Sequence, residues 1–523
     1  MSTSADTLGA VLARAAADHP DGLALVDGGN RLTYAELHHR ALGCARTLVG
    51  LGVAPGDVVT VQLPSWWETA VLLHGCALAG AVFNPVVPIY REHELGFIVT
   101  QARPKVLVVP TTHRGHDHLA MARAVTAGLD DPPVVLTVRG GADELVLDGS
   151  GPSVALTGST PTDTALPVVE DPGAVALLMY TSGSTADPKG ALHSHRTLLA
   201  EARQVSAICR LGGGDVVFMA SPLAHITGLV FAVVLPADLG IASVLQDRWD
   251  AEAAVDLVAA NGCTFTVSAT TFLLGLTRVH EERGTRSSLR VFVCGGAEIG
   301  PLLCERARTA MGTAVVRTYG STELPTFTLG DPYGDPVLAG DSDGAVVPGA
   351  SWRTDPETGE LLVRGEELFL GYLDAALDAV AFTPDGYFHT GDLVRIDAEG
   401  YGRVVGRTKD IIIRGGENLS AIEIEDHVQL HPRVTAVAVV AVPDPTMGER
   451  ACAYVVLADG GALTLAELRE FLVGQGLAVQ KSPERLEIVS ELPHTASGKV
   501  QKFKLRRLLA GTTATTGPSA PPR

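Results

Sequence analysis

The hydrophobic and polar positions near the start of the chain switch between helical and strand-like spacing. Thr33-Tyr-Ala-Glu36 is a capping-box pattern, in which the first and fourth side chains satisfy each other's backbone N–H groups. Apolar residues follow at helical spacing from Leu37 to Val49, and glycines at 50 and 52 predict the end of the helix. A strand-like run over 57–63 and a helical stretch over 66–79 come next, so this part of the chain alternates α and β.

Short apolar runs recur further along the chain. They are often β-branched and are bounded by Gly, Pro or Ser, which is typical of strands buried on both faces of a parallel sheet. The runs lie at 105–109, 174–180, 216–220, 265–269, 289–294 and 315–318. The stretches between them have helical spacing, which predicts an α/β fold class. The segment 130–170 is rich in Gly, Asp, Pro and Thr and predicts an irregular excursion.

The pattern changes after residue 350. Runs at 360–364, 391–397 and 402–406, with turn residues at 397–400, predict a small antiparallel β region. From residue 410 onward, strands at 434–442 and 451–457 accompany two helices with the capping boxes Ser420/Glu423 and Thr464/Glu467. These elements predict a compact C-terminal module. The residues 511–523 are of low complexity and predict a disordered tail.

Composition narrows the classes of partner. The 523 residues include 40 Lys and Arg against 59 Asp and Glu, a formal net charge of −19. So acidic a chain is a poor candidate for binding nucleic acid or an anionic membrane, because both need clustered basic residues. No apolar stretch reaches the roughly 18 residues of a membrane span, and the N-terminus lacks the pattern of a signal peptide. The seven scattered cysteines, with no Cys-x-x-Cys pair, are typical of reduced thiols, so we expect a cytoplasmic protein.

The most informative segment is a loop that leaves the predicted strand at 174–180. Its sequence is Tyr180-Thr-Ser-Gly-Ser-Thr-Ala-Asp-Pro-Lys-Gly190, which offers backbone N–H groups, hydroxyls and one cation to a polyphosphate. It is not a Walker A loop, because no glycine immediately precedes Lys189. No strand is followed by Gly-x-Gly-x-x-Gly, the usual sign of dinucleotide binding. We interpret the segment as a phosphate loop rather than a polar linker.

Four further motifs follow this loop in the chain. They are Tyr319-Gly-Ser-Thr-Glu323, Tyr387-Phe-His-Thr-Gly-Asp392, Gly406-Arg-Thr-Lys-Asp410 and Leu492-Pro-His-Thr-Ala-Ser-Gly-Lys499. With these motifs in this order, the chain resembles the adenylate-forming superfamily of acyl-CoA synthetases, luciferases and adenylation domains over roughly residues 10–508. The resemblance implies an α/β fold: a large N-terminal domain, 1–408, of two αβ subdomains and a small β-barrel, then a small mobile α+β C-terminal domain, 409–510.

The resemblance also implies a reaction. In this family a carboxylate attacks the α-phosphate of ATP and pyrophosphate leaves; in the synthetase branch the thiol of CoA then attacks the acyl-adenylate. Two anions meet in the first step, so charge neutralisation is the main problem. The residues implied to hold the β- and γ-phosphates are Thr181, Ser182, Gly183, Ser184, Thr185 and Lys189. Thr322 is implied to bind a phosphate, Glu323 to bind Mg²⁺, and Lys499 to bridge the carboxylate and α-phosphate oxygens.

Further roles are implied for the rest of the nucleotide and for CoA. The adenine is implied to lie against Tyr319 and a close backbone wall. The residues around it are Gly296, Ala297, Glu298, Thr318, Gly320 and Ser321. Asp392 is implied to accept the ribose hydroxyls, and Arg407 to donate to the ribose or the α-phosphate. Lys409 occupies the family's hinge position, where the C-terminal module rotates between half-reactions. Gly415 and Gly416 leave room for a pantetheine arm, although a plain β-turn explains them as well.

The substrate is an apolar, non-amino acid on this interpretation. Residues 221–228 and the apolar run after them look like the family's acyl-pocket helix, with His225 at the carboxylate end or, alternatively, as a core histidine. Adenylation domains for α-amino acids have an Asp in this region, and here there is none. The segments 62–67 and 84–90 are similar to those of ligases for cyclohexanecarboxylate-like alicyclic acids. Aryl, medium-chain and polycyclic acids remain open.

An ATP-, Mg²⁺- and CoA-dependent acyl-CoA ligase is the leading interpretation. Two alternatives share its first half-reaction: an adenylating enzyme that hands the acyl group to an acyl carrier protein, and a luciferase-like oxidoreductase that oxidises the adenylate. The sequence leaves the acceptor, the individual acid and the oligomeric state open, a homodimer included. Ala186 stands where the family usually has glycine, which predicts a slightly remodelled but working loop.

Overall fold

The chain folds into two compact units. The computed structural model describes all residues except 1–5, 139–143, 148–152, 156–163, 182–187, 297–300, 337, 339–341, 415–416, 445, 459, 476, 495–499 and 514–523. The larger unit takes in the described residues up to Thr181, Pro188–Ser351 and Arg364–Ala381. The smaller unit takes in Trp352–Val363 and the described residues from Phe382 onward. No helix in the described part of the chain is long and apolar enough to cross a membrane.

In the described part of the larger unit, five α-helices begin at a residue whose side chain accepts from a first-turn N–H group. The predicted capping box is confirmed, because Thr33 Oγ1 accepts from Glu36 N while the Glu36 carboxylate accepts from Thr33 N. The α-helices of this unit are Leu8–Asp18, Tyr34–Gly50, Trp67–Ala79, Glu92–Ala102, His118–Thr126, His195–Ile208, Ile226–Leu229, Leu235–Leu239, Ala251–Asn261, Thr270–Arg283, Pro301–Met311 and Asp378–Ala381. A π-helical turn lies at Val230–Val234 and a 3-10 turn at Ala375–Leu377.

The first of two large sheets in this unit has nine strands. Their order across the sheet is Ala345–Val346, Thr328–Leu329, Ala314–Tyr319, Val291–Cys294, Phe265–Ser268, Val216–Met219, Ala242–Leu245, Leu23–Asp27 and Asn30–Thr33. The inner strands, from 314–319 to 23–27, are all parallel, and the outer pairs are antiparallel. The inner strands contain the short apolar runs that predicted buried parallel strands.

The second sheet also has nine strands. Their order is Ser153–Ala155, Glu144–Leu147, Val134–Val138, Val106–Pro110, Val58–Val61, Val82–Pro85, Val175–Thr181, Lys189–Ser194 and Gly371–Tyr372. The strands from 134–138 to 175–181 are parallel. The expectation of an irregular segment over 130–170 is wrong at three places, because the strands Val134–Val138, Glu144–Leu147 and Ser153–Ala155 extend the sheet. A small hairpin pairs Thr112–His113 with His116–Asp117.

One large hydrophobic core joins both sheets of the larger unit. It contains fully buried side chains from the helices Leu8–Asp18, Tyr34–Gly50 and Trp67–Ala79 and from strands of each sheet, among them Leu177 and Val316. This core fixes the strands Val175–Thr181 and Ala314–Tyr319, whose carboxyl ends lead directly into two of the sequence motifs. Ligands of open α/β sheets bind beyond such carboxyl ends.

The smaller unit combines short antiparallel pairs with an α+β module. Its helices are Ala421–Gln429, Leu465–Gly474 and Lys502–Thr513, with 3-10 turns at Thr408–Asp410 and Val479–Lys481. One sheet contains Ser351–Thr354, Leu361–Arg364 and Phe388–His389, and a hairpin pairs Asp392–Ile396 with Gly402–Arg407. The largest sheet orders Glu417–Ser420, Ile411–Arg414, Gly448–Leu457 and Val434–Asp444, with Arg485–Ile488 beside Gly448–Leu457. Thr464 and Glu467 form their predicted capping box, whereas Ser420 caps its helix but the Glu423 carboxylate accepts from Lys481 instead.

Candidate active site

The predicted phosphate loop connects two paired strands of the second sheet. Val175–Thr181 runs antiparallel to Lys189–Ser194, and Thr181 lies directly opposite Lys189 in the register. The pairing fixes the two ends of the loop on a buried sheet, so the backbone positions of Thr181 and Lys189 are set by strand hydrogen bonds. Ser182, Gly183, Ser184 and Thr185 lie outside the described residues.

The second motif begins at the end of the strand Ala314–Tyr319. Thr318 Oγ1 donates to Thr328 O at 2.8 Å, and Phe327 N donates to Tyr319 O at 2.8 Å, so the chain turns back on itself here. Gly320 is required at the turn, because a Cβ there would lie 2.0 Å from Pro325 O. Ser321 closes the turn: its N–H donates to Leu324 O at 2.8 Å.

A buried histidine holds the next residue of this motif. His193 Nε2 lies 2.8 Å from Thr322 O and must donate, since a carbonyl oxygen only accepts. Burial lowers the pKa of His193 to about 4, so the imidazole is neutral at pH 7. Sequence reasoning missed His193. It lies four residues after Lys189 on the same strand, and the two-residue period of a strand places both side chains on one face.

Glu323 and Lys189 both contact one tyrosine, Tyr372, that sequence reasoning also missed. The Tyr372 hydroxyl donates to Glu323 Oε1 at 2.8 Å, and Lys189 Nζ lies 5.0 Å from the centroid of the Tyr372 ring. Phe369 N donates to Glu323 O at 2.8 Å. The structure therefore brings together Lys189, Thr322 and Glu323, three residues that the sequence motifs assigned to one phosphate and metal site.

A close backbone wall lies beside the end of the same strand. Gly295 follows Val291–Cys294, the parallel neighbour of Ala314–Tyr319. A Cβ on Gly295 would lie 2.5 Å from Thr318 Cγ2, so only glycine permits this approach. Gly296 has a φ of +80°, the left-handed region that favours glycine. Ala297 and Glu298 lie outside the described residues.

The predicted acyl-pocket segment is a short helix that continues through the π-helical turn. His225 precedes Ile226–Leu229, and the residues from Leu229 to Leu235 are all buried and apolar. The Nε2 atom of His225 is shielded from solvent and has no hydrogen-bond partner among the described residues. Burial lowers its pKa to about 4, so this ring is neutral at pH 7 and suits an apolar pocket.

The smaller unit contains the remaining described motif residues. Asp392 and Arg407 lie opposite each other in the hairpin 392–396/402–407, and Arg407 Nε is 2.8 Å from Asp392 Oδ1. The preceding residue, Gly391, donates its N–H to Glu360 Oε1 at 2.6 Å. Lys409 lies in the 3-10 turn Thr408–Asp410. The side chain of Lys409, together with Gly415, Gly416 and Lys499, lies outside the described residues.

The donor set near Lys189 fits the predicted magnesium ion. No group of three or more His, Cys, Asp or Glu suited to a metal occurs in the described part of the chain. Mg²⁺ does not need such a group, because it is commonly held by one or two carboxylates, substrate phosphates and water. Glu323 supplies a carboxylate whose Oε1 is held by Tyr372, and Lys189 marks the side where the phosphates are expected.

Comparison with known proteins agrees with this geometry. A family model described as AMP-binding enzyme matches residues 12–373, and one described as AMP-binding enzyme C-terminal domain matches residues 423–499. The chain is 34% identical to a medium-chain fatty-acid–CoA ligase of Escherichia coli, over 93% of this chain and 88% of that enzyme. It is 35% identical to a salicyl-AMP ligase/salicyl-S-ArCP synthetase of Mycobacterium tuberculosis, over 98% and 92%.

A solved structure gives the same result. ATP-bound MatB from Rhodopseudomonas palustris superposes with a TM-score of 0.85 at 30% identity, over 96% of this chain and 99% of that one. The predicted α/β fold with a large N-terminal and a small C-terminal part is confirmed, and so is the predicted class, an AMP-forming acyl-CoA synthetase. Two family models, the curated relatives and a solved relative thus agree with the five motifs: the chain belongs to the AMP-binding enzyme family, within the adenylate-forming superfamily.

Proposed function

We propose that the protein activates an apolar carboxylic acid with Mg²⁺ and ATP and transfers the acyl group to CoA. In the first step a carboxylate oxygen bonds to the α-phosphorus, the bond to the bridging oxygen breaks, and pyrophosphate leaves. In the second step the CoA sulfur bonds to the acyl carbon, AMP leaves and the thiol proton passes to solvent. The observation that supports this proposal most is that Lys189 and Glu323 both contact Tyr372.

The charges in the larger unit fit the first step. Lys189 and Thr181 stand at the two ends of the phosphate loop, where a cation and a hydroxyl reach the β- and γ-phosphates. Thr322 follows in the adjacent turn as a phosphate ligand. When bound, Mg²⁺ neutralises phosphate charge and helps pyrophosphate to leave, with Glu323 as its protein ligand. Tyr319 follows Thr318, which packs against Gly295, and its ring offers the adenine a flat surface.

The smaller unit supplies groups for the ribose and for catalysis in this proposal. Asp392 accepts the ribose hydroxyls, and Arg407, already 2.8 Å from it, donates to the ribose or the α-phosphate. Lys499 places its ammonium on the carboxylate and α-phosphate oxygens as negative charge builds up. Lys409 is the hinge of the C-terminal module, whose boundary we place between residues 408 and 409.

The acid is proposed to be alicyclic, aryl or otherwise apolar. The buried apolar turn that follows His225 offers no charged partner for an amino group, and the neutral His225 ring has an unsatisfied Nε2 for the polar end of the acid. An acyl carrier protein is the second candidate acceptor, because one relative is named a salicyl-S-ArCP synthetase. CoA remains the first candidate, because another relative is named a fatty-acid–CoA ligase.

A two-part experiment tests the proposal. ATP–pyrophosphate exchange is measured across alicyclic, aryl and fatty acids, and the best acid is then assayed for AMP release with CoA or with a carrier protein. We expect exchange with an apolar acid and CoA-dependent AMP release. Lys499→Ala should lower exchange by on the order of 10²–10³-fold, because it removes a charge contact made in the transition state.

The matched control is Lys504→Ala, an exposed lysine five positions further along. It should leave exchange unchanged. Exchange at the parental rate in Lys499→Ala would contradict the proposed role of Lys499. Exchange with α-amino acids alone would contradict the proposed substrate class, and AMP release with a carrier protein but not with CoA would favour the second acceptor.

A further inference from the structure

Tyr372 lies between two oppositely charged groups that both serve ATP in the proposed function. Its hydroxyl donates to Glu323 Oε1 at 2.8 Å, and its ring face lies 5.0 Å from Lys189 Nζ. Among the described residues, Lys189 and Glu323 do not form an ion pair with each other. The tyrosine therefore contacts both charges while they remain apart.

The backbone around Tyr372 fixes its ring. Tyr372 lies in the edge strand Gly371–Tyr372, opposite Ala191 of the strand Lys189–Ser194. Its N–H donates to Asp378 Oδ1 at 2.9 Å. The side chain is almost fully buried. The hydroxyl is the donor in its bond to Glu323 Oε1, because a carboxylate oxygen only accepts.

We propose that Tyr372 is a positioning residue for the phosphate and metal groups. Its hydroxyl holds Glu323 Oε1, which leaves the Oε2 oxygen for Mg²⁺. Its ring keeps the Lys189 ammonium from closing onto the same carboxylate. A direct Lys189–Glu323 ion pair would neutralise both groups and remove the cation from the phosphates and the carboxylate from the metal. The inference rests on the proposed function, in which these two residues bind Mg²⁺ and ATP.

The fold of the motif does not depend on the Tyr372 hydroxyl. The backbone carbonyl of Thr322 is held by His193, and that of Glu323 by Phe369 N, each at 2.8 Å. Removing the hydroxyl should therefore release the Glu323 side chain and leave the turn in place. A variant that lacks only the hydroxyl, Tyr372→Phe, therefore tests its role without disturbing the turn.

The test is calorimetric titration of ATP into the full chain, with and without Mg²⁺. The readout is the gain in ATP affinity that Mg²⁺ produces, which does not require turnover. In Tyr372→Phe we expect this gain to fall at least tenfold, as is typical when the partner of a metal ligand is removed. The affinity for ATP without Mg²⁺ should stay within about twofold of the parent's. In Tyr372→Leu the ring is lost as well, and Mg²⁺-free affinity should also fall severalfold as Lys189 closes onto Glu323.

Tyr333→Phe is the matched control, because the Tyr333 hydroxyl donates to Cys209 O and does not contact the site residues. It should match the parent in both titrations. An unchanged Mg²⁺-dependent gain in Tyr372→Phe would overturn the role of Tyr372 alone. If the parent itself bound ATP with no dependence on Mg²⁺, the assignment of Glu323 in the proposed function would fail instead.

Discussion

Glu201 is a carboxyl group buried beneath the second motif. It lies on the helix His195–Ile208 with its side chain fully buried, and Thr326 Oγ1 donates to its Oε1 at 2.6 Å. Burial is the main reason that its pKa rises to about 8, and the nearby Glu367 adds repulsion. Burial likewise raises the pKa of Glu367 to about 7. At pH 7 the folded protein therefore keeps most of Glu201 protonated.

This raised pKa predicts a stability that depends on pH. The unfolded chain releases the Glu201 proton near pH 4.5, whereas the folded chain holds it until about pH 8. Folding is thus favoured most below pH 4.5, and this contribution is lost as the pH rises through about 8. Glu201→Gln keeps the acceptor for Thr326 and removes the titration. We expect the pH 5–8 decrease in the free energy of unfolding to be about 3–4 kcal/mol smaller in this variant.

Urea denaturation at several pH values measures this difference. Glu305→Gln is the control, because Glu305 is exposed on the helix Pro301–Met311. In this variant the free energy of unfolding should change with pH as it does in the parent. If the free energy of unfolding of Glu201→Gln changed with pH as it does in the parent, Glu201 would be ionised in the folded protein.

At the scale of elements, the helix Lys502–Thr513 follows the segment that contains Lys499. Lys502 Nζ lies 2.8 Å from Glu425 Oε1 in a mostly buried pair, and Arg506 pairs with Asp410 of the 3-10 turn. Leu505 and Leu509 are buried against the strands Val434–Asp444 and Gly448–Leu457. This helix therefore anchors the chain only three residues after Lys499.

Lys502→Met should loosen that anchor. It leaves Glu425 buried without its cation, and breaking such a buried pair typically costs about 3–5 kcal/mol. We expect hydrogen exchange over 502–513 to accelerate at least tenfold, and adenylation, which uses Lys499 in our proposal, to fall more than thioester formation from added acyl-adenylate. Lys504→Met on the same helix is exposed and should change neither. Equal losses in both half-reactions would show that the pair supports the whole unit rather than Lys499.

The elements that could be predicted from the sequence are those whose causes are local. The helix after Thr33 and the helix after Thr464 each begin at a capping box that lies within four residues. Tyr372 could not be predicted, because the edge strand Gly371–Tyr372 has only two residues and its partner Glu323 is 49 positions away. His193 acts across 129 positions on Thr322. The motifs thus predicted the groups proposed to bind ligand, while the residues that contact them depend on tertiary pairing.

At the scale of the whole molecule, the net charge of −19 opposes the binding of ATP, a carboxylate and CoA, all of which are anions. The compensation must therefore be local. Lys189 lies against the Tyr372 ring in the larger unit, and Arg407 pairs with Asp392 in the smaller unit, so each of these cations has a neighbour that orients it. This arrangement holds the cations in place in the absence of ligand, which lowers the entropic cost of binding.

In the proposed function the site must change between two half-reactions, and we propose that the backbone rotates at Lys409. This residue lies in the 3-10 turn Thr408–Asp410, between the hairpin strand Gly402–Arg407 and the strand Ile411–Arg414. Proline fixes φ near −65° and restricts the preceding residue, so Lys409→Pro should block a rotation that needs new backbone angles. We expect pyrophosphate exchange to stay within about threefold of the parent and CoA-dependent AMP release to fall at least about 100-fold. Lys409→Ala removes the same side chain but leaves the backbone free to rotate, so it should retain both steps. A proline variant that completes both half-reactions at parental rates would place the hinge elsewhere in the chain.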